Sequence, residues 1–168
     1  MANTFELIAS STVGVLGAAT IDFTSIPSTY TDLCFKLSLR DGSVGAAQAD
    51  LISFNGSTAS ITSRMIQGSG SAVSSTSSPA RFAGNNVSAT ATASTFSNVE
   101  VYIPNYAGST NKSFSVDSVT ENNATEAYAN LIAGLWSNTA AINQVTFTPT
   151  SGSFVQYSTA YLYGVKNA

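Results

Sequence analysis

The 168-residue chain contains no histidine, a single cysteine and only 9% charged side chains. Each shortage removes a class of chemistry. Without histidine there is no base for a Ser–His–Asp or Cys–His nucleophile, and zinc sites of the usual Cys/His types are excluded. General acid–base and nucleophilic catalysis need His, Cys, Asp, Glu or Lys held close together, and those residues are sparse. Cys34 has no second cysteine with which to form an intrachain disulfide. Within the apolar run Leu33-Cys34-Phe35 it reads as a buried, inert thiol. No run approaches the ~18 apolar residues of a membrane helix. The opening Met1-Ala2-Asn3-Thr4-Phe5-Glu6 lacks the basic region and apolar stretch of a secretory signal. These features predict a protein made and folded in a reducing cytoplasm, with no membrane partner. Gly68-Ser69-Gly70 is followed by Ser and Ala rather than by a helix with lysine, which argues against a phosphate loop.

Basic charge is scarce as well. Six Lys and Arg against nine Asp and Glu give a net charge of −3. Lys36, Arg40, Arg64, Arg81, Lys112 and Lys166 are scattered singly, whereas contacts to a phosphate backbone need clusters. No nucleic-acid partner is expected. Asn55, Asn86, Asn111 and Asn123 lie in N-x-S/T triplets, which a chain so rich in Asn, Ser and Thr produces by chance.

What the chain does contain is material for a core. Hydrophobic residues make up 43%, with nine Phe, seven Tyr and one Trp. A single domain of this length buries about 70% of its unfolded surface. The dominant pattern is period-two alternation broken by turn residues roughly every ten positions. Leu33, Phe35, Leu37 and Leu39 fall on one side of a strand, with Asp32, Lys36, Ser38 and Arg40 on the other, and Asp41-Gly42 ends it. Val99, Val101 and Ile103 alternate up to Pro104-Asn105. Phe114 with Val116, and Val145 with Phe147, alternate in the same way. Phe5 to Ile8, Ala19 to Phe23, Phe154 to Tyr157 and Ala160 to Val165 read as further strands. Leu51 to Phe54 leads into Asn55-Gly56, a strong hairpin signal, with Ile61 to Ile66 as its expected return strand.

Two regions resist. Residues 68–78 (GSGSAVSSTSS) are of low complexity and read as a long surface loop. Residues 123–136 (NATEAYANLIAGLW) are ambiguous. Asn123 and Glu126 resemble a capping box, and Ala127, Leu131 and Leu135 sit at helical spacing. Tyr128, Ile132, Gly134 and Trp136 suit a strand buried on both faces, and the β surroundings favour that strand. The expected fold is a single all-β domain, residues 1–168. It is a two-sheet sandwich or jelly roll of about eight to ten antiparallel strands, with a short N-terminal arm at residues 1–5.

Paired carboxylates are the remaining route to chemistry. Asp117, Glu121 and Glu126 could form a glycosidase-like pair or a calcium site, and Asp41 with Asp50 raises the same question; solvated charges in an acidic protein explain both groups more simply. No catalytic residue, metal ligand or cofactor is assigned. The aromatics are better candidates. Tyr102, Tyr106, Tyr128, Trp136, Tyr157, Tyr161 and Tyr163 could line a sugar-binding face or a subunit interface. Tyr161 and Tyr163 share one side of the last strand, opposite Ala160 and Leu162. The interface candidates are Phe5, Arg64, Arg81, Tyr102, Tyr106, Tyr161 and Tyr163. The glycan-stacking candidates are Tyr102, Tyr106 and Trp136.

From Gly134 the chain reads GLWSNTAAINQVTFTPTSGSFVQYSTAYLYGVKNA. The pattern W-x-x-T-A-A-I near Trp136, then S-G-S-F before a closing Y-L-Y-G-V-K, resembles small β-rich virion proteins of tailed bacteriophages, especially phages of aquatic bacteria. The opening ELIASSTVG…IDFTSIPSTYTDLCFKLSLR is similar to the same group. The resemblance implies a jelly-roll-like fold and a homo-oligomer, commonly a trimer, and it carries over no catalytic residue. Together these readings lead to the expectation of a non-enzymatic capsid decoration (cement) protein. It would be assembled in the bacterial host cytoplasm, sit on the outer surface of the virion, and bind the major capsid protein and copies of itself. The alternative is a tail-fibre or receptor-binding module that recognises host-surface glycan.

Overall fold

The computed structural model describes residues 4–78, 81–123 and 126–166. Among them are twelve strands and no helix. In chain order they are β1 (Phe5–Thr12), β2 (Ile21–Phe23), β3 (Asp32–Ser38), β4 (Ala47–Phe54), β5 (Ile61–Gly68) and β6 (Val73–Ser78). There follow β7 (Phe82–Val87), β8 (Asn98–Pro104), β9 (Lys112–Val119), β10 (Ala129–Trp136), β11 (Val145–Pro149) and β12 (Thr159–Val165). An eight-stranded sheet has the order β1-β12-β3-β8-β9-β10-β5-β6, and a four-stranded sheet the order β2-β11-β4-β7. All named pairings are antiparallel.

The topology is that of a jelly roll. β1 pairs with β12, β2 with β11, β3 with β8 and β4 with β7, the nested order of a long hairpin rolled into two sheets. Two insertions extend the larger sheet. One, β5–β6, leaves the chain between β4 and β7; the other, β9–β10, leaves it between β8 and β11. They meet through the β10–β5 ladder, which runs from Ala129↔Gly68 to Trp136↔Ile61.

The core fills the space between the sheets by strand alternation. The inner face of the large sheet contributes Leu33, Phe35, Leu37, Val99, Val101, Ile103, Ala160 and Leu162. The small sheet answers with Ile21, Phe23, Ile52, Phe54, Val145 and Phe147. Phe35 meets Phe23 and Phe147 edge-on, with ring centroids 5.5 and 5.3 Å apart. Phe54 packs on Phe114 at 5.5 Å and on Trp136 at 5.3 Å. Gly134 makes room for this cluster. A Cβ there would lie 2.1 Å from the Phe114 ring of the neighbouring strand.

Several sequence expectations change. The alternating segments do form strands; of the 123–136 segment, residues 129–136 are a strand with no helical turn, residues 123 and 126–128 belong to no strand, and positions 124 and 125 lie outside the described residues. The strand is not buried on both faces, however: Asn130, Ile132 and Trp136 point inward while Leu131 and Leu135 face out. The 68–78 stretch is not a long loop. Residues 69–72 form a tight turn between β5 and β6, closed by the Ser69 amide donating to the Ala72 carbonyl at 2.9 Å. Serine and threonine pair as well as apolar residues when a neighbouring ladder supplies hydrogen bonds. Asn55-Gly56 does turn, with φ of 51° and 71°, but it joins no hairpin, since β4 and β5 belong to different sheets. The Asn55 side chain instead donates to the Ala141 carbonyl and accepts from the Asn143 and Gln144 amides, tying this crossover to the approach of β11. Residues 154–157 form no strand; Phe154 makes only isolated bridges to Ala18 and Asp41. Of the arm expected at residues 1–5, Thr4 and Phe5 are tied into the sheet. Phe5 already pairs with Val165 and the Thr4 carbonyl accepts from the Lys166 amide at 3.0 Å; positions 1–3 lie outside the described residues.

Candidate functional site

The outer face of the eight-stranded sheet is read directly from its register. One row across it runs Ser10–Tyr161–Lys36–Glu100–Asp117–Leu131–Ile66–Ser75. The first half of the row is polar. Lys36 and Glu100 form an ion pair across β3 and β8, and the carboxylate beside it raises the Lys36 pKa. Lys36, Asn98, Glu100 and Asp117 line a shallow depression of about 250 Å³, with Tyr161 beside Lys36.

The next row includes Leu7–Tyr163–Cys34–Tyr102. Tyr102 donates to Asp32 at 2.6 Å, which pushes its hydroxyl up to about 12, and the second Asp32 oxygen accepts from the Asn105 amide at 2.8 Å. Phe5 meets Tyr163 edge-on at 6.4 Å. Cys34 is buried between the tyrosine-bearing strands, and burial pushes its thiol up to about 11, far from the thiolate that nucleophilic chemistry requires.

The other half of the sheet is apolar. Leu131 is 60% exposed opposite Ile66 at 56%, and Val119, Ala129 and Val73 lie in the adjoining row, with Val73 78% exposed. Further along the strands, Ala133 and Leu135 join Thr62, Arg64 and Ser77 around an open depression of about 530 Å³. Asp117, Glu121, Arg64 and the hydroxyls of β6 border the patch.

The inner face of this half changes character along its length. At one end lie Phe114, Ile132 and Trp136. At the other, Gly84 of β7 (φ 107°) approaches so closely that a Cβ would stand 2.8 Å from the Ser118 Cβ. Only small polar groups fit there. Asn130 donates to Asn85 at 3.0 Å and to Ser118 at 2.9 Å, and the Asn85 amide donates to Ser118. The network continues through Asn86. Asn86 donates to Asp50 at 2.7 Å, Ser88 donates to Asp41 at 3.1 Å, and the Ser43 amide and hydroxyl also donate to Asp41. Asp50 is fully buried and its second oxygen has no partner among the described residues. Burial drives its pKa well above the usual carboxylate value, against the Asn86 hydrogen bond, which lowers it.

These placements sort the residues singled out from sequence. Trp136 and Tyr106 are core residues, 1% and 0% exposed, and cannot form a sugar-stacking platform. Trp136 packs on Phe54, and the Tyr106 hydroxyl donates to the Pro27 carbonyl. Tyr106 is thereby removed from the interface set too. Both lie on short polar-flanked segments whose burial depends on strands distant in sequence. Arg81 is partly buried and donates to the Ile52 carbonyl, which makes it a structural clamp. Tyr102 is held by Asp32. Phe5, Arg64, Tyr161 and, in part, Tyr163 remain on the surface, and Arg64 reaches Ser77. The outward direction of Tyr161 and Tyr163 follows from the buried Ala160 and Leu162; Tyr163 is sheltered by Phe5, whereas Tyr161 is open.

Asp117, Glu121 and Glu126 do not converge, whereas the buried Asp41 and Asp50 lie close enough for Asp41 to add to the raised pKa of Asp50. Asp117 faces out from β9, Glu121 accepts from the Asn123 amide, and Glu126 is exposed. Among the described residues no group of three or more His, Cys, Asp or Glu is placed to hold a metal ion. Asp41 does not pair with Arg40, whose guanidinium instead donates to the carbonyls of Thr92, Thr95 and Ala91. Lys112 is buried, with its amine on the Thr110 carbonyl and its pKa pushed down by burial. Sequence reasoning missed the Val119–Leu131–Ile66–Val73 patch. The alternation of Leu131 and Leu135 with Asn130, Ile132 and Trp136 separates two faces, and only the pairing of distant strands decides which of them is covered.

No family model and no curated protein matches the chain. Among solved structures, the galectin LEC-6 of Caenorhabditis elegans is similar over 91% of this chain and 94% of the galectin, with a TM-score of 0.38 and 7% sequence identity.

Proposed function

We propose that this protein is a non-catalytic component of a bacteriophage virion, a capsid decoration protein that docks through the outer face of its large sheet. The reading joins the resemblance of the 6–40 and 134–168 segments to proteins of tailed phages with the placement of the exposed residues. The observation that carries it is the patch formed by Leu131, Ile66, Val119 and Val73, set on the same sheet face as the Lys36–Glu100 ion pair. Stable interfaces have a desolvated apolar centre and a polar rim. Here Asp117, Glu121, Arg64 and the β6 hydroxyls supply that rim. The partner is the major capsid protein, and attachment bridges neighbouring capsid subunits on the outer surface of the particle. Reactive side chains take structural roles: Cys34 and Asp50 are buried and Asp32 holds Tyr102.

The test is co-sedimentation of purified protein with capsid shells that lack it. Wild-type protein is expected to travel with the shells and Leu131→Lys to stay in solution, while both melt at the same temperature. Shells that leave the wild-type protein behind reject the reading. A second reading, a tail-fibre module binding host glycan, is favoured by one feature: the depression of Lys36, Asn98, Glu100 and Asp117 beside the exposed Tyr161. An aromatic face next to charged and amide groups suits a sugar ring. It predicts binding to host lipopolysaccharide that Tyr161→Ala abolishes and Leu131→Lys leaves intact.

A further inference from the structure

We infer that β6 is a homotypic pairing edge, which joins antiparallel to β6 of a second copy of this chain across a two-fold axis. β6 ends the eight-stranded sheet, so one side of its backbone bonds β5 and the other has no strand beside it among the described residues. An open edge is a template for another strand, and proteins that remain monomeric defend such edges with charge, proline, bulges or short length.

The other three edges of this molecule carry such defences. β1 has a register shift between Leu7 and Ala9 and bears Glu6, which pairs with Lys166 at 3.0 Å. β2 is three residues long and presents Asp22. β7 faces a register shift between Ala49 and Leu51 and contains Gly84 in a left-handed conformation. β6 carries none. Its sequence is VSSTSS, without a charge or proline, and its ladder with β5 is unbroken from Ser63↔Ser78 to Gly68↔Val73.

The chemistry favours a second copy as the occupant. A neutral strand laid against itself places no like charges opposite one another, although the chain as a whole is acidic at −3. Short hydroxyl side chains on both strands leave no bulk to hold the backbones apart. The contact is isologous and closes as a dimer. It is independent of capsid docking, because it is read on the isolated protein.

The experiment is sedimentation velocity of the full chain over a wide concentration range, beside a cysteine scan. A reversible dimer is expected. Ser74→Lys with Thr76→Lys, both at exposed positions, should raise its Kd by about tenfold or more while circular dichroism and melting temperature stay unchanged. Under mild oxidation, at least one of Ser74→Cys, Ser75→Cys and Thr76→Cys should give a cross-linked dimer. Thr58→Cys, exposed elsewhere, should give none. A monomer at every concentration, an oligomer that ignores the lysines, or a scan without cross-links along β6 would overturn the inference.

Discussion

Across the outer face of the large sheet, β3 and β8 present Lys36 paired with Glu100 and Tyr102 bonded to Asp32, whereas β10 and β5 present Leu131 opposite Ile66. Behind both halves the core continues: Phe35 stands between Phe23 and Phe147, and Trp136 stacks on Phe54. The difference therefore lies in how each outer face meets its surroundings, and not in how each half is anchored. β1, β12, β3 and β8 belong to the jelly roll, and there Lys36 pairs with Glu100, Tyr102 with Asp32 and Phe5 with Tyr163, while Leu7 and Tyr161 stay open. The extension of β9, β10, β5 and β6 is built from two insertions; its Arg64 bonds Ser77, whereas its outward Leu131, Ile66 and Val73 are exposed among the described residues. A sheet face that is apolar on both sides ordinarily has a layer on each. Here those three side chains stay exposed among the described residues.

The comparison can be broken first at its anchor. Phe35→Ala and Trp136→Ala should each cost about 3–5 kcal/mol if both halves share one core, measured by urea unfolding. A markedly smaller loss for Trp136 would make the extension a separate, weaker unit. Next comes Gly134→Ala, where the new methyl overlaps the Phe114 ring and about 1–3 kcal/mol of overpacking strain is expected. A neutral result would mean that the ring moves freely and the inner face is loose.

The polar end sharpens the contrast through pH. Asp50 has a folded pKa above its unfolded value near 3.8, so the native state binds the extra proton. Stability is then present in full below that unfolded value and falls as pH rises from there through the raised folded value. Asp50→Asn, which keeps the shape of the neutral carboxyl, should remove this decline in melting curves taken across the acidic to mildly alkaline range. A wild-type protein that gains stability over the same range through this residue would contradict the raised pKa. The smallest expected effect is at the patch itself. Leu131→Ser should change stability by no more than about 0.5 kcal/mol, because the side chain is already in water. A larger loss would show that the outer face belongs to the core after all.

Much of the fold was legible. Leu33–Phe35–Leu37 and Val99–Val101–Ile103 alternate so regularly that strand, face and burial follow from the residues alone, and the neighbouring Asp32, Lys36 and Glu100 mark the solvent side. The site was less so. β6 contains one apolar residue, and its strand exists because β5 offers it a ladder. Trp136 and Tyr106 resemble surface aromatics until Phe54 and Pro27, distant in sequence, close over them.

By itself the sequence determined the all-β class, the outward turn of Tyr161 and Tyr163, and the inertness of a lone cysteine, because period-two alternation and side-chain chemistry are local properties. Tertiary structure decided which strands became neighbours, and with that which apolar residues were covered. The two insertions met edge to edge, and this placed Leu131 beside Ile66 and left β6 at an open boundary. Pairing between distant strands is set by the closure of the whole sandwich, so no local pattern could reveal which hydrophobic face would remain in water.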